Sequence, residues 1–410
     1  MPHPLRSLLW LAAGLLLFAL TAELLFRALP VSTATATGYR IDPMIMTYPP
    51  HRVISSSTGW DLKDAQHLRT NNLGFVSDLD FAPDPQAVAL IGDSYVEASM
   101  LRADDRLGAQ LQQRLGPARP VYAMGNPGTS LLDYAERVRY ASQNLGVRDF
   151  VIFVSKGDLH QSLCGSANIH GPCLNAKTLA PDTDLRPPAS TLKQVVRESA
   201  LAQYLLSQLR VSPDRLLPVL KALPASLLPG HADPAPSEPG KLLPTTDPAV
   251  VDLISKTFLD RVRPYVAGRL VLVINSPLPG MPIEPLDQDS QRFGATAAAQ
   301  GATVVEMQTV YQAHAARSKL SLAVGPYDGH LNAIGMGLVA DTAAGAFRAA
   351  RPMPAARHGA LPTSRQAPRR WLLDGSRTGC LQSSDEREIR PRRDRSRCPC
   401  PLGAALVAWP

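Results

Sequence analysis

The sequence predicts an α/β fold: a doubly wound, mostly parallel sheet flanked by helices, with an N-terminal transmembrane helix and a disordered C-terminal tail. Three observations predict it. Short apolar runs alternate with segments of helical period between residues 87 and 305, and that alternation calls for a parallel sheet with helices on its faces. The run "DFVIFV" at 149–154 is continuously apolar, as in strands buried on both sides. The first 30 residues hold one long apolar stretch, whereas residues 351–410 are rich in Arg and Pro and lack apolar periodicity.

Residues 1–30 read as a membrane anchor or signal. Residues 8–22 are almost wholly apolar, with Arg6 before them and Glu23 and Arg27 after. Leu24, Leu25 and Phe26 carry the stretch past the usual length of a secretory signal, which favours an uncleaved anchor. The alternative is a secreted chain, cut among the small residues at 32–36. Arg6 keeps the N-terminus in the cytoplasm, so the rest of the chain is exported. The expected location is a bacterial inner membrane crossed once, with the domain in the periplasm or outside.

Residues 31–85 are a turn-rich lead-in expected to pack on the main domain, residues 86–350. The domain opens with a strand at 87–91. A helix at 104–115 follows, with Leu107, Leu111 and Leu115 on one face. A strand at 120–124 precedes a helix from 131 to 145, with Ser130 as its N-cap and Asp133 completing a capping-box relative. The strand at 149–154 comes next. An insertion at about 190–248 carries helices at 191–209 and 214–228, then a Pro-rich linker from 230. The rhythm resumes with a helix at 249–266, a strand at 269–274, a helix at 290–300 and a strand at 302–305. The tail, 351–410, has too few apolar residues to build a core.

The net charge of +7 suggests nucleic acid until it is located. Residues 351–410 contain 12 Arg and 5 acids, which leaves 30 basic and 30 acidic residues for the first 350. A neutral body offers no footprint for a phosphate backbone, and no nucleic-acid partner is expected. Cys164 and Cys173 bracket the short loop "CGSANIHGPC". In an exported protein they read as a disulfide, with two free thiols as the alternative. The spacing is poor for zinc, with only His160 and His170 nearby; no metal and no cofactor is expected.

In doubly wound folds the site lies beyond the carboxyl ends of the strands. Four polar clusters fall there: Asp93 and Ser94 after the first strand, "GNPGTS" with Asn126 and Gly128 after the second, Lys156, Gly157 and Asp158 after the third, and "YDGHLNAIG" with Asp328, His330 and Asn332 near the end. A serine hydroxyl needs a base to take its proton, and the base needs an acid to fix its tautomer. His330 can be that base and Asp328 that acid. In the plainer reading His330 only caps the helix that follows.

These motifs resemble those of the SGNH, or GDSL-type, esterase superfamily. "IGDSYVEASM" is similar to its first block, "GNPGTS" to its glycine block, and "DGHLNAIG" to its Asp/His block in the form of polysaccharide O-acetylation relatives. The resemblance spans about residues 10–350 and includes the anchor ending "ELLFR" and the "TNNLGF" that follows. It implies Ser94 as nucleophile, His330 as base then acid, Asp328 as its orienter, and the N–H groups of Ser94 and Gly128 as oxyanion donors. The family's third donor, an Asn side chain, is replaced here by Gly157. Asn126 and Lys156 are the substitutes nearest in sequence, and Asp158 reads as structural.

The function expected is an envelope-facing serine esterase or O-acyltransferase acting on acyl, above all acetyl, esters of carbohydrate. The alternative is a catalytically weakened, anchored module that binds glycans or assembly partners. A metal phosphoesterase built on Asp93, Asp328 and His330 is the weakest reading, because too few ligands cluster.

Overall fold

The computed structural model describes residues 3–166, 172–182, 196–209, 247–325 and 328–353. The expected helix at 214–228, most of the linker and the tail beyond Met353 lie outside them. So do His170, Cys380, Cys398 and Cys400.

Helix α1 (His3–Ala28) contains the span Arg6–Ala28, which is long and apolar enough to cross a membrane and is not buried by the rest of the chain. The lead-in is more ordered than its composition suggests. It forms two antiparallel hairpins, β1 (Gly38–Asp42) with β2 (Ile45–Thr47), and β3 (Val53–Thr58) with β4 (Lys63–Arg69). Ile45, Phe75 and Phe81 enter the same core as Ala89 and Tyr134, and the Phe81 ring stacks on Tyr122 at 4.5 Å. The lead-in therefore contributes apolar side chains to the main core instead of lying over it.

The central sheet is parallel throughout. Its strands are β5 (Val88–Gly92), β6 (Val121–Gly125), β7 (Asp149–Val154), β10 (Leu270–Ile274) and β11 (Thr303–Glu306). Their order in space is β11-β10-β7-β5-β6. The first strand thus lies between the second and the third, and the crossovers leave to opposite faces on either side of it. That switch point is where doubly wound sheets open a crevice.

The strands show why a continuous apolar run is needed. Phe150, Ile152 and Val154 point into one core, and Val151 and Phe153 into the other; Leu270, Leu272 and Ile274 oppose Val271 and Val273 in the same way. Side chains alternate across a strand, so a strand covered on both faces must be apolar at every position. Each fully buried Leu, Ile or Phe contributes roughly 1.5–3 kcal/mol.

Helices α4 (Leu131–Leu145), α7 (Pro248–Val262) and α8 (Pro285–Ala299) cover one face. Helices α3 (Leu107–Leu115) and α10 (Ala333–Ala349) cover the other. The Ser130 N–H donates to Asp133 Oδ2 at 3.0 Å, as the capping box requires. Helix α8 starts five residues before its expected boundary, where Pro285 takes a first-turn position and Asp287 accepts the Glu284 N–H. Proline is pre-organised there, a start signal the apolar pattern alone hides. The expected helix at 191–209 is, over 199–209, a short helix α6 (Ala200–Gln203) that continues as a π-helical turn at Tyr204–Gln208. A tail beginning at 351 is also too early: Met353 is buried in the core and its N–H donates to Gly268 O at 2.8 Å. The minor pieces are α2 (Ser94–Glu97), α5 (Asp158–Gln161), the two-residue strands β8 (Cys173–Leu174) and β9 (Pro181–Asp182), α9 (Gln308–Ala315), and the hairpin β12 (Ala323–Gly325) with β13 (Asp328–Leu331).

Candidate active site

Strand β5 ends at Gly92, and Ser94 starts the single helical turn α2. The turn is laid directly across the strand ends. A Cβ on Gly92 would meet Val96 Cγ2 at 2.5 Å, and one on Gly125 would meet Glu97 N at 2.4 Å. Gly92 pairs with Gly125 in the sheet register, so two facing strand ends stay bare where the serine turn crosses them. The buried strand stops at Gly-Asp-Ser for a steric reason: only glycine lets the turn sit that close. Asp93 closes the turn by accepting the Tyr95 N–H at 2.9 Å.

Ser94 Oγ lies 2.8 Å from His330 Nε2, across 236 residues of sequence. His330 Nδ1 lies 2.6 Å from Asp328 Oδ1, which also accepts the His330 N–H at 3.0 Å. Asp328 and His330 occupy alternate positions on β13 and so share a face. With the Nδ1–H donated to the Asp328 carboxylate, Nε2 is left to accept from the serine hydroxyl. Burial pulls the His330 pKa down, but the hydrogen bond and charge of Asp328 outweigh it, with Asp93 and Glu97 adding to them, so the net shift is upward. The hydrogen bond from His330 holds Asp328 below the ordinary carboxylate range.

The supporting residues divide. Asn332 caps α10, accepting the N–H groups of Ile334 and Gly335 at 3.0 Å each and donating to Ser321 O and Ala323 O. The cap of that helix is thus Asn332, which frees His330 from the plainer reading. Asp158 is fully buried; its carboxyl accepts from the Ser155 N–H at 2.8 Å and lies 3.0 Å from the Tyr134 hydroxyl. Lys156 does not reach toward the serine: its ammonium pairs with Glu284 at 2.5 Å and Asp287 at 3.8 Å, at the start of α8. Lys156 is therefore corrected from an oxyanion candidate to a surface ion-pair partner. Asn126 follows β6 and is fully buried; among the described residues neither its Oδ1 nor its Nδ2 has a partner. Gly157 has φ +98°, a conformation other residues resist. Gly128 has φ +71° in the loop before α4. Among the described residues, neither the Ser94 nor the Gly128 N–H donates to another group.

Five residues escaped the sequence reading. The Tyr95 ring packs against the His330 imidazole, with centroids 4.7 Å apart, and against Phe153 at 5.4 Å. Its neighbour in the sequence is the serine itself, so position alone could have flagged it. Ser155 Oγ lies 2.7 Å from Asp93 Oδ2 and 2.9 Å from Asp158 Oδ1. Burial raises both carboxyl pKa values, and the charge of Asp93 adds to the rise at Asp158. Arg137 is buried beneath the strand ends, and its Nη1 donates to Gly92 O at 2.7 Å and Met124 O at 2.9 Å. The legible signal was an arginine on the apolar face of α4, in line with Tyr134, Val138 and Ala141. Glu97, within α2, is pushed up to about 8 by burial. Asn275, beyond β10, accepts from the Tyr311 hydroxyl at 2.9 Å.

Cys164 and Cys173 form a disulfide with Cα atoms 5.1 Å apart. Asp182 lies close to both sulfurs, but sulfurs bonded to each other are not thiolate ligands.

No family model matches the chain, and no curated protein matches it. Solved structures do. An alpha/beta hydrolase enzyme from the metagenome of Lake Arreo, Spain, is 14% identical, with 65% of this chain and 98% of that one covered and a TM-score of 0.36. A carbohydrate acetylesterase family member from Sinorhizobium meliloti is 15% identical, with 64% and 97% covered and a TM-score of 0.30. A member of the lipolytic protein G-D-S-L family from Veillonella parvula is 12% identical, with 63% and 95% covered and a TM-score of 0.31.

Proposed function

We propose that this chain is a membrane-anchored serine esterase or O-acyltransferase that works on acyl, above all acetyl, esters of carbohydrate through an acyl-Ser94 intermediate. The observation that carries the reading is the hydrogen-bonded line from Ser94 Oγ through His330 to Asp328.

The chemistry follows from that line. Ser94 Oγ attacks the ester carbonyl carbon as His330 Nε2 takes its proton. Asp328, held as a carboxylate, stabilises the imidazolium. The N–H groups of Ser94 and Gly128 are the donors assigned to the developing oxyanion. The carbonyl re-forms, the C–O bond to the sugar breaks, and the imidazolium gives its proton to the departing alkoxide. Water attacking the acyl-serine completes hydrolysis; a second sugar hydroxyl completes transfer. His330 deprotonates either one.

The anchor is favoured over a cleaved signal by its contacts. Glu23 accepts from Ser199 Oγ at 2.8 Å and from the N–H groups of Ala200 and Leu201 at 3.1 and 2.9 Å. A segment destined for removal gains nothing from hydrogen bonds to the mature domain. With Arg6 on the cytoplasmic side, the domain faces the periplasm or the exterior.

The test is labelling with a fluorophosphonate and release of p-nitrophenol from the acetyl ester, using the full chain in detergent. The expected outcome is labelling and turnover, both lost in Ser94→Ala. One observation favours a second reading, an anchored module that binds glycans or assembly partners: position 157 has no side chain to serve as a third oxyanion donor. A chain that stays unlabelled but binds acetylated oligosaccharide would establish that alternative.

A further inference from the structure

The end of the apolar helix is not a free tether. Besides the three bonds from residues 199–201, the Glu23 carboxylate accepts from Arg27 Nε at 2.7 Å. One turn of helix away, the Phe26 ring stacks on Tyr204 with centroids 4.2 Å apart. The Tyr204 hydroxyl donates to Trp60 O at 2.9 Å, and Gln208 Nε2 donates to Ser57 O at 3.0 Å. Ser57 Oγ in turn donates to Pro30 O at 2.7 Å. The end of α1, the segment 199–208 and the tip of the β3–β4 hairpin are therefore joined as one piece.

That piece carries apolar side chains that none of the described residues covers. Trp60, at the hairpin tip, is 70% exposed. Leu205, Leu206 and Leu209 are exposed on the adjoining segment, and Leu24 and Leu25 on the helix itself. Length says what covers them. The rise from Arg6 to Glu23 is about 26 Å at ~1.5 Å per residue, and the hydrocarbon core of a bilayer is about 30 Å thick. The stretch between these two charges is a few ångströms short of that core, so the crossing span, Arg6–Ala28, takes in Glu23 near its outer end. The bilayer must reach up to Glu23, and the groups bonded to Glu23 are drawn down to the headgroups. The charge at that depth is tolerable because the carboxylate already has four donors.

We infer that this face is a lipid-contacting surface: Trp60 and the leucines at 205, 206 and 209 sit in the headgroup boundary of the leaflet beside α1. An indole with an apolar body and a polar N–H suits that depth. The domain then stands on the membrane in one fixed orientation. This inference rests on the anchor reading, and the experiment separates the two.

The full chain is reconstituted in vesicles of phosphatidylethanolamine and phosphatidylglycerol, and its tryptophan emission is compared with that of Trp60→Phe. Retention is checked by alkaline carbonate extraction. The expected difference emission, which belongs to Trp60, is blue-shifted. It is quenched more by lipid brominated high on the acyl chain than by lipid brominated near its end. A retained chain whose Trp60 emits as in water, unquenched by either lipid, overturns the surface and leaves the anchor standing. Blue emission insensitive to brominated lipid would mean that a second copy of the chain covers Trp60, and would also overturn it. Release by carbonate overturns the anchor and this inference together.

Discussion

At the level of single residues, the proposed chemistry depends on the protonation of His330. Its pKa is raised above the ordinary 6.5 because Asp328 outweighs burial. The base is active only when neutral, so the acid limb of kcat/KM should have its midpoint above 6.5. Asp328→Asn removes the charge that favours the imidazolium, which should move that limb to lower pH. It also leaves the imidazole tautomer unfixed, so kcat should fall on the order of 10⁴-fold. A pH–rate profile of the two proteins checks both. A second prediction concerns the missing donor. Asn tolerates positive φ better than other side chains, and a Cβ at 157 meets nothing closer than Gln161 Nε2 at 3.5 Å. Gly157→Asn should therefore lose some stability to the strained φ of +98° while meeting no clash, and with its amide on the oxyanion it should raise kcat on the order of 100-fold. Unchanged turnover of p-nitrophenyl acetate would exclude position 157 as a donor site. Ser94, His330 and Asp328 were legible because chemistry restricts their types and topology restricts where they fall. Tyr95, Ser155 and Arg137 were not, since an aromatic, a hydroxyl and a guanidinium have ordinary uses everywhere.

Among the elements, the turn that presents Ser94 is held by close packing. Gly125→Ala places a Cβ 2.4 Å from the backbone nitrogen of Glu97, which cannot yield without moving the serine. Overpacking of this kind costs roughly 1–3 kcal/mol. Activity should fall by more than the loss of folded protein explains, which melting temperature and active-site titration together would reveal. The Cys164–Cys173 bridge follows α5 and closes a short loop. Replacing both cysteines by serine should cost about 2–3 kcal/mol, measured by urea titration, with the site intact. Elements with strong period or capping were read well from the sequence: the five sheet strands, and α4 from its Ser130 cap. The lead-in hairpins were missed because their strands alternate weakly and contain Ser, Gln and His. They are strands because their neighbours complete the core, which no local window shows. Helix α9 was overlooked for a similar reason: only Tyr311 on it is buried.

For the molecule as a whole, buried carboxyl groups tie stability to pH. Burial raises Glu97 from 4.5 to about 8 and Asp133 from 3.8 to about 7. An acid that binds its proton more tightly when folded stabilises the fold below its unfolded pKa, and that contribution is lost as pH rises through the folded value. Stability should therefore decline between about pH 4 and 8. Glu97→Gln should flatten part of the decline and raise the melting temperature at pH 8 relative to pH 5. The order in which residues far apart in sequence converge was readable from the strand–helix rhythm. The joint between α1 and residues 199–208 was not, since nothing in an apolar run announces what its last charged residue will bind. One consequence lies beneath the serine. Ser155 has a single hydrogen to share between the carboxyl oxygens of Asp93 and Asp158, and burial pushes both acids toward the protonated form. The floor beneath the serine is then less negative than its formal count of acids, and the carbonyl of the proposed ester, gathering charge as it reacts, meets correspondingly less repulsion from below.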